Sequence, residues 1–233
     1  MNTEEEEKES AKSKQRLNIP EGALVIMPMR NRVLFPSMMM PLAVRSPARR
    51  HAVEEADRQQ VPIGFVVQRD PNVEVPQPKD LYAVGTTGVV VRMFTLPDGQ
   101  RQVLVQGRRR FEIGEFLETD PVLIARVTLV EEKIPETKDF EARILHLRQE
   151  AARALSLFSE PMNELRVMID RIEDPLSVID MIASTLDLPT AEKQEILGIL
   201  DPEARAQRVS EKLARQIELL ELSKKIGAET KES

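Results

Sequence analysis

Between residues 23 and 130 the apolar positions fall in short runs or alternate with polar ones, and after Pro135 they recur every three or four residues. That change of period from two to 3.6 predicts two halves of different class. In the first half, strands are expected at Leu24 to Met29, Ile63 to Gln68, Phe111 to Leu117 and Val122 to Val130. The clearest element is a hairpin: Gly88 to Leu96 leads into Pro97-Asp98-Gly99-Gln100, and Arg101 to Gly107 returns. Proline presets one turn angle and glycine tolerates positive φ, so Pro-Asp-Gly between β-rich runs is a turn with a mechanism. One helix interrupts the strands from about Pro47 to Gln59, where Ala48, Ala52, Val53 and Ala56 recur at helical spacing. Short strands with a single helix predict a small closed or nearly closed barrel.

In the second half, Phe140, Ile144, Leu147, Ala151, Leu155 and Phe158 form one stripe of a helix capped near Thr137. Met162, Leu165, Met168, Ile169 and Ile172 predict a second stripe, and Leu176, Ile179, Ile182, Ala183 and Leu186 a third. Asp174-Pro175 and Asp201-Pro202 are helix starts, with Asp as N-cap and Pro where its missing N–H costs nothing. A short helix from Ala191 to Leu200 precedes a long one from Pro202 to about Ile226. In the latter, Val209, Leu213, Ile217 and Leu220 make one stripe, while Leu219, Leu222 and Ile226 add apolar width near the carboxyl end. Such a helix either packs on its own bundle or docks a partner. The absence of a compact closing element after Ala228 reads as an excised piece.

Composition narrows the chemistry. A hydrophobic fraction of 41% with 31% charged residues suits a globular protein, and the formal net charge of −6 repels polyanions. Polypeptide partners are therefore expected ahead of nucleic acid. The sequence has no Cys, which excludes disulfides, thiolate catalysis and thiolate-bound zinc. The Glu- and Lys-rich start is no secretory signal, and Arg30, Arg32, Pro36 and Pro41 interrupt the most apolar amino-terminal run, so a cytoplasmic protein without membrane contact is expected.

Enzyme motifs are missing. None of the nine glycines precedes a Lys, so there is no P-loop, and neither a G-x-S-x-G elbow nor H-E-x-x-H is present. The two histidines, His51 and His146, stand far apart and read as surface or satisfied side chains. The acidic pairs Glu54-Glu55 and Glu131-Glu132 are adjacent and cannot face one another, so they read as solvated surface. No catalytic residue, cofactor site or metal site is expected.

The segment Met27 to Leu42, through Pro28, Arg30, Phe35-Pro36 and Pro41-Leu42, resembles the opening strand and turn of the amino-terminal domain of Lon-type ATP-dependent proteases. Ser37 stands where many relatives have Gly, and Met29 where they have Leu. The similarity continues through Arg49 to Ala56, Asp70-Pro71, Asp80 to Thr86 and the hairpin Leu96-Pro97-Asp98-Gly99 with Val103 to Gly107. In the helical half it takes in Asp174-Pro175, Leu186-Asp187-Leu188, Lys193-Gln194 and Leu219-Leu220-Glu221-Leu222. The resemblance implies an α+β chain: an acidic tail over residues 1–20, a PUA-like β-barrel over 21–132, a helical bundle over 133–201 and a long helix over 202–233 leading toward an ATPase domain. It also implies substrate capture and a role in assembling a hexamer with other Lon subunits. The Walker motifs and the Ser-Lys dyad of that family have no counterpart in this sequence.

Such a domain would meet unfolded or damaged proteins, whose common label is exposed apolar sequence. Two clusters are candidates. Met38-Met39-Met40 places three flexible thioethers in a row, which in an extended chain cannot all face one core. Met93, Phe94 and Leu96 approach the hairpin tip, with Met93 on one face and the other two on the opposite one. The competing reading makes all six core or interface residues. For assembly the candidates are Leu213, Ile217, Leu220, Leu222 and Ile226. Two alternatives remain open: an RNA-binding module using Arg101 and Arg108-Arg109-Arg110, since PUA-like barrels also bind RNA, and a stand-alone adaptor using the long helix alone.

Overall fold

In the computed structural model the described residues are 17–158 and 162–231, with side chains described as far as Gly227. The stretch read as an acidic tail lies mostly outside them. The chain divides into two units, Met1–Val130 and Glu131–Ser233.

The first unit contains β1 (Ala23–Met29), β2 (Met39–Ala43), α1 (Pro47–Arg58), β3 (Ile63–Val67), a 3-10 turn (Pro78–Asp80), β4 (Val84–Thr95), β5 (Arg101–Glu118) and β6 (Leu123–Leu129). The sheet order is β2-β5-β4-β3-β1-β6, and β6 pairs back onto β5, which closes the barrel. β1 and β3 run parallel, and α1 supplies the crossover that a parallel pair needs. Closure explains the continuous apolar run of β1. Leu24 and Ile26 enter a cluster with Val66, Phe111 and Leu123, while Ala23 and Val25 pack with Ala48 and Ala52 of α1. Both faces of the strand are buried, so no polar alternation survives.

The predicted hairpin is present. Leu96 N–H donates to Gln100 O at 2.8 Å, and Gly99 adopts φ 82°. The returning strand does not stop at Gly107. It runs unbroken to Glu118, pairing first with β2 and then with β6, and Arg110 lies within it fully buried. The triple arginine therefore looks like a break in sequence but occupies strand positions. Where Phe111 fills the interior, its neighbours must be small: a Cβ on Gly85 would stand 2.4 Å from Phe65 O and 2.8 Å from Phe111 Cζ.

The second unit contains α2 (Lys138–Ser156), α3 (Asn163–Arg171), α4 (Pro175–Thr185), α5 (Thr190–Gly198) and α6 (Pro202–Lys231). The predicted caps form. Thr137 accepts from Phe140 N–H at 3.2 Å, Asp174 from Ser177 N–H at 2.8 Å and Asp201 from Ala204 N–H at 2.8 Å. α2 packs chiefly on α6. Its stripe differs slightly from expectation: Phe140, Ile144, Leu147, Ala151 and Ala154 are buried, Leu155 is half-buried, and Phe158 lies exposed past the helix end.

The stripe expected on α3 is corrected more strongly. Only Ile169 is buried, and Met162 and Met168 are exposed. α3 is nine residues long and meets α2 at its last turn, where Arg148 donates to the carbonyls of Ile169 and Ile172. The core also holds a charge. Arg205 is fully buried in α6, donating to Ile199 O at 2.8 Å, pairing with Glu132, and lying 3.7 Å from Asp180 Oδ1. Glu132 is thus drawn into a buried ion pair rather than left as solvated surface.

Candidate binding groove

The candidate site of the first unit grows from two chain exits. β1 runs out at Met29 into Arg30-Asn31-Arg32, and β2 ends at Ala43, turning through Val44-Arg45-Ser46 into α1, whose N-cap is Ser46. Between these exits lies a groove of about 990 Å³. Its floor is apolar, formed by Met27, Met29, Phe65, Val103 and Val105. Its rim is cationic: Arg30, Arg32, Arg45 and Arg49.

These arginines are held but not neutralised. Arg30 donates to the carbonyls of Val73 at 3.3 Å and Glu74 at 3.4 Å, and Arg32 donates to Pro41 O at 3.0 Å. No carboxylate among the described residues forms an ion pair with any of the four. Burial and then the like charge of Arg30 push the Arg49 guanidinium below its ordinary range, the opposite of what a carboxylate partner would do. Glu74 and Asp120 stand in the same lining, and Asp120 has a partner of its own, so the rim remains positive in a chain of net charge −6.

A second recess, about 120 Å³, shares Val44, Val53 and Val103 with the groove and adds Met93 and Phe94. The Arg101 to Glu54 ion pair at 2.9 Å borders it. Of the side chains expected to bind substrate, Met39 is 51% exposed and Met93 43%, while Met38, Met40, Phe94 and Leu96 are half-buried. The structure brings Met93 and Phe94 together, but the methionine triplet lines neither recess. The strand register explains its split: Met40 pairs with the buried Val105, and Met39 with Gln106 on the other face.

The groove residues escaped the sequence reading for a simple reason. Met27, Met29 and Phe65 read as strand core, and the four arginines are spread along twenty residues, with no local basic run. Only the arrangement of Arg30 and Arg32 before β2, with Arg45 and Arg49 after it, carried a signal.

Two other expectations change. Of the basic cluster, Arg110 is buried and Arg101 is paired with Glu54, while Arg108 and Arg109 are exposed, Arg109 donating to Val130 O at 3.3 Å, so the four arginines do not act as one cluster. Glu55, read with Glu54 as solvated surface, is buried and receives hydrogen bonds from Arg58 at 2.6 Å and Gln59 at 2.5 Å. In the second unit, Leu213 and Ile217 lie in the bundle core and Leu220 is half-buried, whereas Leu219, Leu222 and Ile226 are exposed. No group of His, Cys, Asp or Glu able to hold a metal occurs among the described residues, and no helix in them is long and apolar enough to cross a membrane.

A barrel closed by five strands, with β2 added on β5 and one crossover helix, carries an apolar groove and continues into a five-helix unit, which defines an α+β binding module. The chain belongs to the family described as the ATP-dependent protease La (LON) substrate-binding domain, whose model matches residues 23–215. It is 37% identical over 224 residues to a Lon protease of Methylocella silvestris, covering 96% of this chain and 28% of that protein. A Lon protease of Dictyoglomus thermophilum is 37% identical over 214 residues, or 92% of this chain and 27% of that protein. The chain thus spans little more than a quarter of the curated relatives it matches. Among solved structures, the N-terminal domain of Mycobacterium avium complex Lon protease superposes with TM-score 0.66 at 19% identity, covering 82% of this chain and 98% of that one. A Lon N-terminal domain protein from Xanthomonas campestris gives 0.59 at 17% identity, covering 80% and 96%.

Proposed function

We propose that this chain is the substrate-capture domain of a Lon-type ATP-dependent protease, binding exposed apolar segments of unfolded or damaged proteins and leaving ATP hydrolysis and Ser-Lys peptide cleavage to other parts of the enzyme. The observation that carries this reading is a groove of about 990 Å³ with an apolar lining on the barrel, in a unit that also exposes Met39 and Met93. Soluble monomers bury such concave apolar surface unless something binds there. Methionine suits variable clients, because its flexible thioether repacks around different shapes. In this reading the exposed Leu222 and Ile226 of α6, with Leu219, face other subunits of a cytoplasmic hexamer. Each domain can then bind weakly, since several copies around one entrance raise avidity by about 10² to 10⁴.

The test is chemical-shift mapping with a permanently unfolded protein as titrant. Methyl shifts are expected at Met27, Met29, Met39 and Met93. Shifts confined to α2 to α6, or none at all at millimolar client, would overturn the reading.

A further inference from the structure

We infer that the groove selects apolar segments flanked by carboxylates, the arginine rim reading acidic residues beside the apolar core of a bound polypeptide. This deepens the proposed capture of apolar segments and rests on it. Three observations on the barrel unit carry it. Over the buried Met27, Met29 and Phe65, the exposed Val75 and the half-buried Pro28 and Leu42 give the apolar part of a ligand a surface to cover. Around that floor Arg30, Arg32, Arg45 and Arg49 stand without ion-pair partners among the described residues. The first turn of α1, Ser46 to Arg49, opens on the same groove and carries no acidic residue, so the helix end adds to the positive field.

The charge arrangement commits the groove to this occupant. A guanidinium kept beside another guanidinium in partly buried surroundings is relieved when a carboxylate arrives, and the planar fork of arginine receives it in two hydrogen bonds. Arg30 and Arg32 already donate to backbone carbonyls, which fixes their positions, whereas Arg45 and Arg49 make no side-chain hydrogen bond to the described residues and can turn to a ligand. RNA fits less well. Phe65 is the only aromatic side chain in the lining, it is buried, and Glu74 and Asp120 interrupt the cationic rim along which a phosphate backbone would have to run. A second copy of this chain is disfavoured for any charge-led contact by the net charge of −6 on each.

The experiment measures fluorescence anisotropy of the full 233-residue chain with three labelled peptides sharing one Leu-Phe-Val-Leu-rich core and flanked by Glu, Ser or Lys. The Glu-flanked peptide is expected to bind about tenfold tighter than the Ser-flanked one at low salt, as two partly exposed ion pairs would give. Added salt should narrow the gap. R45E/R49E should invert the order of the Glu- and Lys-flanked peptides. The milder Arg45→Gln, at an exposed position, should shrink the preference several-fold and serves if the double variant fails to fold.

Equal binding of all three peptides would overturn the selection for acidic flanks while leaving apolar capture standing. Binding of none would remove both. If single-stranded RNA displaces the Glu-flanked peptide at equal charge, the rim reads phosphate and the inference fails. It fails equally if the peptide binds only after residues 1–16 are removed, which would assign the groove to the chain's own Glu4 to Glu7.

Discussion

The barrel unit and the helical unit solve the problem of a tightly packed interior in opposite ways. The barrel removes side chains where backbones converge: Gly64, Gly85 and Gly88 leave room for the rings of Phe111 and Phe65. The helical unit adds a charged side chain to its centre, Arg205, and surrounds it with Glu132, Asp180 and the Ile199 carbonyl. The barrel interior is governed mainly by shape, with Arg110 and Glu55 as its buried charges, and the helical core by pairing around Arg205. The difference teaches where each should be fragile: the barrel to added volume, the helices to a missing partner.

The largest effect is expected at Arg205. Replacing it by Met fills similar space but removes a positive charge facing Asp180, 1% exposed, and Glu132. Breaking a buried pair from one side costs about 3–5 kcal/mol, and replacing the charges together with apolar residues recovers much of it. Hydrogen exchange should show amides of α4 and α6 losing protection by that amount in Arg205→Met, with β1 and β3 unchanged. The double variant R205M/D180L should regain part of the loss. Equal loss in the barrel would break the comparison, because the two units would then not be held separately.

Gly85→Ala tests the other side. One methyl group placed 2.4 Å from Phe65 O and 2.7 Å from Val66 Cγ2 has backbone on one side and a packed core on the other. Overpacking of this kind costs about 1–3 kcal/mol. Denaturation followed by exchange at β3 and β4 should register the whole effect there. Pairing the change with Phe111→Leu, which shortens the ring 2.8 Å away, should restore part of it. Failure of that rescue would mean that the backbone contact alone sets the limit.

Legibility in the sequence followed the same division. Local devices were readable, because their chemistry lies within four residues: the Pro97-Asp98-Gly99 turn and the caps at Thr137, Asp174 and Asp201 all form. Long-range devices were not. Arg110 and Glu55 look like surface charges in any local window and are buried by partners that only folding supplies. α3 shows the reverse error, since Met162 and Met168 have core-like spacing yet remain exposed. The groove combined both difficulties. Its floor looked like ordinary strand interior, and its rim was assembled from the two sides of β2. Ser37 was legible only through family resemblance, which implied a glycine-type turn there: it adopts φ 66°, and its N–H donates to Gly107 O at 3.0 Å.

The smallest expected effect lies at the end of α1 and sharpens the claim that the barrel unit is limited by shape rather than by polar pairing. The helix closes with Val61 N–H donating to Ala56 O at 3.0 Å and Gln60 N–H to Asp57 O at 3.1 Å, a Schellman arrangement with Gln60 at φ 57°. Glycine is the residue that holds this conformation without steric cost, and a left-handed non-glycine residue gives up about 1 kcal/mol. Gln60 recovers part of that through its side-chain amide, which donates to Asp57 O at 2.7 Å in an exposed setting. An exposed hydrogen bond returns about 0.5 kcal/mol, so Gln60→Gly should stabilise the unit by roughly the same amount and raise its Tm by about 1–2 °C. Gln60→Ala separates the two contributions: it loses the hydrogen bond, keeps the backbone strain, and should therefore lower Tm where glycine raises it. If both substitutions lower Tm, the side-chain bond outweighs the backbone strain, and polar pairing matters in the barrel unit as it does among the helices.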